Sequence, residues 1–162
     1  MAKRKKDRSS GTPVVVNRRA RFDYFIHDTL EVGIKFCGSE IKSVRAGNIS
    51  ISEGYVRVQG DPLGLSLHGV TIAEYAPAAS LGHSPLRSRV LLAHKREILK
   101  LLRQVERKGV TIVPLRLYFK NGYAKLEIGV AEGKHKGDKR RALAERDVQR
   151  DMQRAMTRGR VG

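Results

Sequence analysis

Apolar and polar positions alternate most cleanly in PLRLYFKNGYAKLEIGV, residues 114–130. Asn121-Gly122 between two alternating runs predicts a type I′ hairpin. A two-residue loop sets Lys120 opposite Tyr123, Tyr118 opposite Lys125 and Arg116 opposite Glu127. Leu117 and Leu126, and Leu115 and Ile128, then pair on the other face, which is core. The outer face interleaves Arg116, Lys120 and Lys125 with Tyr118 and Tyr123. Rings beside cations suit nucleic acid, because bases stack while ammonium groups hold phosphates. On the hairpin alone, a solvated face whose tyrosines cover cross-strand neighbours is the commoner arrangement.

A second hairpin is predicted in GYVRVQGDPLGLSLHGVTI, where Val56 and Val58 alternate with Arg57 and Gln59 and Gly60-Asp61-Pro62 makes the turn. FDYFIHDTLEVGIKF reads as one long strand in which Gly33 permits a bend or bulge. Two helices interrupt the strands. Ser39 is placed to cap EIKSVRA, with Gly47 as its stop and Ile41 and Val44 facing inward. A longer helix runs from about His94 to Lys108 before Gly109, with Ile98, Leu101, Leu102 and Val105 as its core stripe. Dispersed strands, few hairpins and one packed helix predict a mainly β fold: an oligonucleotide-binding (OB)-like closed antiparallel barrel with short helices.

Charge then divides the chain. Of the formal +17 on 162 residues, residues 1–21 carry +7 and residues 133–162 carry +6, leaving +4 for the centre. The expected organisation is a basic arm over 1–16, a barrel over 17–132 and a basic tail over 133–162. Such arms seek polyanions, since releasing counterions from phosphates drives binding. Neither arm has the bulky apolar face of a membrane-surface helix. No transmembrane run or signal sequence is evident, and the lone Cys37 suits a reducing compartment, so a cytoplasmic setting is expected.

Candidate catalytic groups do not converge. Asp23, Asp28 and Glu31 are close in sequence but have mixed strand parity, as ordinary strand-edge charges would. Histidines 27, 68, 83, 94 and 135 lack metal-ligand spacing, and neither a phosphate-cradling glycine loop nor a nucleophile elbow is present. A non-enzyme with no metal and no cofactor is expected. The residues alone leave several RNA-directed alternatives: a structural ribosomal component with basic extensions, a nonspecific single-strand binder, or an RNA-processing enzyme.

The segments NRRARFDYFI (17–26), GSEIKSVRAGNISISEGYV (38–56), LLAHKREI (91–98), LYFKNGYAKLEIGVAEGK (117–134) and DKRRALAERD (138–147) occur in this order. Together they closely resemble the SmpB family of SsrA-binding proteins, from about Asn17 to Met156. The resemblance implies an OB-fold barrel that binds the tRNA-like domain of transfer-messenger RNA (tmRNA), including its D-loop region. It implies delivery of alanylated tmRNA to ribosomes stalled on messages lacking a stop codon, together with elongation factor Tu, and an indirect link to alanyl-tRNA synthetase through tmRNA. On the ribosome the tail would lie as a helix near the decoding region and along the messenger channel, and the aborted peptide would be tagged for proteolysis. Carried over by position, the RNA face includes Asn17, Arg18, Arg19, Tyr24, Glu31, Gly33, Arg45, Leu92, His94, Arg96, Lys120 and Lys125. Arg and Lys would meet phosphates, Asn17 and Glu31 base or ribose edges, and Tyr24 would stack. An internal pair of Glu31 with Arg19 or Arg45 is the alternative for that acid. The tail's ribosome contacts would come from Lys134, His135, Asp138, Lys139, Arg140, Arg146, Arg150 and Arg154. Relatives often carry an aromatic residue or His just before DKR; here Gly137 stands there, with His135 two residues earlier as the substitute.

On a helix the tail resolves into an arginine row at 146, 150, 154 and 158 and an apolar row at Val148, Met152 and Met156. Two positions separate the rows, about 200° at 3.6 residues per turn. Asp147 and Asp151 fall three residues before Arg150 and Arg154, a spacing that supports helix. Three apolar residues cannot fix the helix to a core. The tail is therefore expected to be disordered when free and helical when bound to phosphate.

Overall fold

In a computed structural model, residues 13–77 and 82–158 are described; residues 1–12 of the expected N-terminal arm, and the Arg158 side chain, lie outside the described residues. The elements are β1 (Val15–Val16), α1 (Arg18–Asp23), β2 (Tyr24–Ile34), α2 (Gly38–Arg45), β3 (Ile49–Ser50), β4 (Tyr55–Gly60), β5 (Leu63–His68), β6 (Thr71–Ile72), β7 (Arg89–Leu92), α3 (Lys95–Val105), β8 (Val110–Lys120), β9 (Tyr123–Gly133) and α4 (Lys136–Arg158). Antiparallel pairing runs β8–β4–β5–β7–β2–β9, and β9 pairs again with β8; β1 adds to β8 and a small β3–β6 sheet stands apart. The fold is thus mainly β with a few helices, as the pattern predicts.

The β8–β9 turn has Asn121 at φ 52° and Gly122 at φ 80°, the two positive values a type I′ turn demands. Its register is as expected for Lys120–Tyr123, Tyr118–Lys125, Leu117–Leu126 and Arg116–Glu127. Beyond that the expected Leu115–Ile128 pair fails: a bulge between Pro114 and Arg116 sets Pro114 opposite Ile128. Proline has no N–H for the ladder, which is why strands tolerate it at bulges. The extra residue also reverses the side-chain alternation. Ile112 and Leu117 both enter the main core, while Val113 and Leu115 pack with Ala20 and Ala131 beneath α1.

The start of β2 also differs from the sequence pattern. Phe22 and Asp23 close α1 instead of opening the strand, because the Asn17 side chain accepts the Ala20 N–H at 3.0 Å and starts a helical turn. The irregularity in β2 lies between Ile26 and Asp28, not at Gly33. β4 and β5 form the expected hairpin, Val56 opposite Leu67 and Val58 opposite Leu65, but Gly60 pairs with Leu63 within the strands, so the turn is Asp61-Pro62 alone.

α2 begins one residue before Ser39, and its cap is Cys37, whose N–H donates to Glu40 at 2.8 Å. The Ser39 hydroxyl instead faces His83 Nδ1 at 3.0 Å. α3 ends at Val105, short of Lys108, with Ile98 and Leu101 buried and Leu102 and Val105 partly so.

One buried charge cluster ties α2 to the segment entering β7. Glu40 and Arg89 are both 0 % exposed, with Arg89 Nε 2.9 Å from Glu40 Oε1 and Arg87 Nη2 2.6 Å from Glu40 Oε2. Arg89 also donates to the Val70 and Pro85 carbonyls at 2.5 and 2.9 Å. Burial pushes the Glu40 carboxyl up, but hydrogen bonds from Arg87, the Cys37 N–H and Arg89 outweigh it and hold the group below its ordinary range. The same carboxylate raises the Arg87 pKa by accepting its hydrogen bond.

Candidate nucleic-acid interface

The outer face of β7, β2, β9 and β8 collects residues that are far apart in sequence. Register places Leu92, Gly33, Lys125 and Tyr118 in one row across four strands. A second row runs Glu31, Glu127, Arg116 and Val16, the last from β1. Lys120 and Tyr123 finish the face at the hairpin tip. Gly33 brings β2 close to β7: a Cβ there would lie 3.2 Å from Leu92 Cβ, a tight contact. Leu92 and Tyr123 are 56 % and 73 % exposed, apolar and aromatic surface with no partner among the described core clusters. The sheet thus presents stacking surface beside Lys120, Lys125 and Arg116.

Glu31 is held within this face. The Tyr118 hydroxyl donates to Glu31 Oε2, and Lys120 Nζ lies 3.8 Å from Oε1. Its partners are therefore neither Arg19 nor Arg45. The Tyr118 hydrogen bond, opposed by burial and aided by Lys120, Lys125 and Arg116, keeps the carboxyl below its ordinary pKa. Burial and the Glu31 carboxylate together push Tyr118 up to about 12. At neutral pH the pair is a carboxylate accepting from a neutral phenol, with a second Glu31 oxygen toward Lys120. Arg116 lies 3.1 Å from Glu127 and 4.8 Å over the Tyr118 ring.

Arg45 leaves α2 near the same hairpin, its guanidinium 5.6 Å over the Phe119 ring. His94 caps α3, its N–H donating to Glu97 at 2.8 Å, and Arg96 is exposed in the following turn. These two continue from Leu92 onto the helix and stand beside the sheet face rather than in its rows.

The remaining predicted RNA residues gather at α1. Asn17 is 2 % exposed, and its Nδ2 donates to the Ile51 and Pro114 carbonyls at 3.2 and 2.9 Å. With Oδ1 occupied by Ala20 N–H, its amide positions α1 and has no free edge for a base. Arg18 is exposed, whereas Arg19 is drawn to Asp23 at 3.1 Å and also to Glu53. Tyr24 is half-buried against the cluster beneath α1.

The tail starts against this helix. Lys134 Nζ donates to the Arg21 carbonyl at 3.1 Å and lies 4.8 Å over the Phe25 ring; Lys139 Nζ is 2.7 Å from Asp23 Oδ1. The Lys139 hydrogen bond, opposed by burial and assisted by Arg19, lowers the Asp23 pKa. Arg146 sits 5.5 Å over the Phe22 ring. Gly137 lies inside the first turn of α4, whose N–H groups at Asp138 and Lys139 donate to the His135 carbonyl; the chain departs from helix at Lys134–His135. Arg140 is exposed, and Arg150 and Arg154 lie 3.8 Å from Asp147 and Asp151, the expected three-residue pairs. Val148, Met152 and Met156 are exposed.

Arg21, Phe22 and Phe25 belong to this region without having been anticipated. Arg18 and Arg21 have a three-residue helical spacing, but the apolar pattern of residues 22–36 reads as one continuous strand and hides it. Asp28 is apart from Asp23 and Glu31, engaged by Lys100 at 2.6 Å on α3. Among the described residues no group of His, Cys, Asp or Glu side chains could hold a metal ion, and no helix is long and apolar enough to cross a membrane.

The family model described as SmpB protein matches residues 14–158. The SsrA-binding protein of Anaeromyxobacter dehalogenans (strain 2CP-C) is 50% identical over 144 residues, 89% of this chain and 87% of that protein. That of Thermobifida fusca (strain YX) is 45% identical over 159 residues, 98% of each. A solved structure described as "tmRNA-SmpB: a journey to the center of the bacterial ribosome" is 43% identical, with a TM-score of 0.64, and covers 81% of this chain and 94% of that one. A chain matched at this identity over nearly its whole length, with the same mainly β fold, belongs to the SmpB family.

Proposed function

We propose that this chain binds the tRNA-like domain of SsrA RNA (tmRNA) and helps deliver its alanylated form to stalled ribosomes for trans-translation. The observation that carries it is the row Leu92–Gly33–Lys125–Tyr118, flanked by Lys120 and Arg116. It sets stacking surface and cations on one exposed sheet face, in a chain whose relatives are SsrA-binding proteins. The circuit of strand pairings supports an OB-type closed barrel as the platform. On this platform Lys125, Lys120 and Arg18 meet phosphates, and Leu92 and Tyr123 pack against bases or riboses. Glu31 accepts from a base amine or 2′-hydroxyl through the oxygen facing Lys120. Asn17 acts by holding α1 in place.

In the same proposal residues 1–16 are an arm, 17–132 the RNA-binding barrel and 133–162 a ribosome-directed tail. The tail's cations at Lys134, Lys139, Arg140, Arg146, Arg150 and Arg154 face ribosomal RNA at the decoding region and messenger channel. Its outer turns, which expose their apolar row, are disordered in the free protein and become helical against phosphate. The chain is a cytoplasmic, non-catalytic partner that reaches elongation factor Tu and alanyl-tRNA synthetase through the RNA.

Fluorescence anisotropy with an in vitro transcribed tRNA-like domain and a single strand of equal length, across a salt series, tests the proposal. Preference for the folded RNA should persist as salt rises. Equal affinities would mark a nonspecific polycation, and turnover of either RNA would mark an enzyme.

A further inference from the structure

The outward side of α3 is cationic from its first turn to its last. Arg96, Lys100 and Arg103 fall within about 60° of one another at 3.6 residues per turn, and Arg107 follows in the turn that closes the helix. A shallow groove of about 400 Å³ runs along this stripe, lined by the four cations with Leu99 and Gln104. Among the described residues no acid lines it. The acids of the segment, Glu97 and Glu106, stand about 90° to either side of the stripe's middle. Glu97 is also occupied, since it accepts the His94 N–H at 2.8 Å.

The cations differ in what engages them. Lys100 Nζ lies 2.6 Å from Asp28 Oδ2, and Gln104 Nε2 donates to the same oxygen at 3.4 Å, so α3 is pinned to β2. Among the described residues no ion pair or hydrogen bond engages the side chains of Arg96, Arg103 or Arg107. Like charges at three- and four-residue spacing repel, and Lys95 and Arg96 in the first turn oppose the helix dipole. Burial of Ile98 and Leu101 holds the helix in place against that repulsion. An anion lying along the groove would relieve it.

Two observations select the anion. The stripe begins at Arg96, four residues beyond Leu92, and so continues the sheet row Leu92–Gly33–Lys125–Tyr118. Leu99 is the one apolar side chain lining the groove, whereas a helical acidic peptide needs several apolar anchors. A line of cations with so little apolar surface suits the phosphates of a backbone, which the planar forks of arginine match. We propose that α3 is a backbone-phosphate rail: structured RNA held on the sheet row runs its adjacent strand along Arg96, Arg103 and Arg107. The rail rests on the RNA-binding function proposed above and extends its footprint from the sheet onto a helix. It reads no sequence. It adds affinity and fixes the direction in which the RNA leaves the sheet.

The test uses the full chain, the in vitro transcribed tRNA-like domain of SsrA RNA, and the variants R103A/R107A and R103K/R107K. Both positions are exposed, so the unfolding midpoint should not move. At physiological salt R103A/R107A should bind about tenfold more weakly than wild type and lose roughly 1–2 from the magnitude of its salt slope. The lysine pair should restore most of both losses, since a backbone phosphate accepts a point charge. Hydroxyl-radical footprinting at saturating protein reads the contact itself. The wild-type chain should protect a run of riboses that R103A/R107A leaves open, with the rest of the footprint unchanged. Binding by R103A/R107A within about twofold of wild type would overturn the rail and leave the RNA-binding function standing, the face then belonging to solvent or an acidic protein. Weaker binding with an unaltered footprint would also overturn it, as a through-space effect of net charge. Loss of wild-type preference for folded RNA over a single strand would instead overturn the function on which the rail rests.

Discussion

Arg89 is wholly buried beside Glu40 and donates to two backbone carbonyls, whereas Arg18, Arg21, Arg146 and Arg150 are exposed around a groove whose one described acid is already paired. The same side chain thus serves two ends. Where each guanidinium nitrogen has an acceptor within the protein, arginine fastens secondary structure: α2, the β7 approach and the Val70 carbonyl share one cluster. Where protein acceptors are few, the exposed donors are left to water or to an external anion. Counting acceptors per guanidinium separates arginines that fasten the fold from those left free to meet solvent or a ligand, which net charge alone does not.

The comparison breaks most readily at the buried cluster. Glu40→Ala leaves Arg89 uncompensated in the interior and should cost about 3–5 kcal/mol in urea unfolding. Loss of less than about 1 kcal/mol would mean that Arg89 is not a structural anchor. The helices provide the next contrast. Leu101→Ala on α3 removes a buried side chain and should cost about 2–5 kcal/mol, while Met152→Ala on α4 should stay within about 0.5 kcal/mol, by the same unfolding measurement. On the sheet face, Lys125→Ala should weaken tRNA-like-domain binding about tenfold, or about 1.4 kcal/mol, with an unchanged unfolding midpoint.

Titration provides smaller effects of definite sign. The Asp23 carboxyl has a folded pKa below its unfolded value, so its contribution to seating α4 is present above the unfolded value of about 4 and is lost as pH falls through the folded one. Amides near Lys139 should exchange faster below that range, and Asp23→Asn should abolish the pH dependence. Tyr118, raised to about 12, stabilises fully below its unfolded value of about 10 and ceases to do so as pH rises from there through 12. Tyr118→Phe should raise the Glu31 pKa toward its ordinary value, read by carboxyl NMR.

Much of the sheet was legible because hairpins are local. Asn121-Gly122 specified its own turn and the register back to Arg116, and the β4–β5 hairpin followed from strict alternation, though not its exact turn. Legibility ended where a backbone detail changed parity. The Pro114 bulge moved Leu115 beneath α1, and one side-chain cap at Asn17 converted Phe22 and Asp23 from strand to helix. The rows of the candidate interface depend on long-range pairing of β2 with both β7 and β9, which periodicity does not encode. Family resemblance supplied Glu31, Gly33, Leu92 and Lys125 as a set; register explains why they are one. The arginine groove was less accessible still, since Arg21 and Arg116 meet Arg146 only through the seating of α4 on α1.

Sequencing of RNA that copurifies with the intact chain from its own cells tests the central claim most directly. The account predicts strong enrichment of SsrA RNA over its cellular abundance, reduced when Lys120 and Lys125 are replaced by alanine. Recovery of ribosomal RNA with no enrichment of SsrA RNA would contradict it.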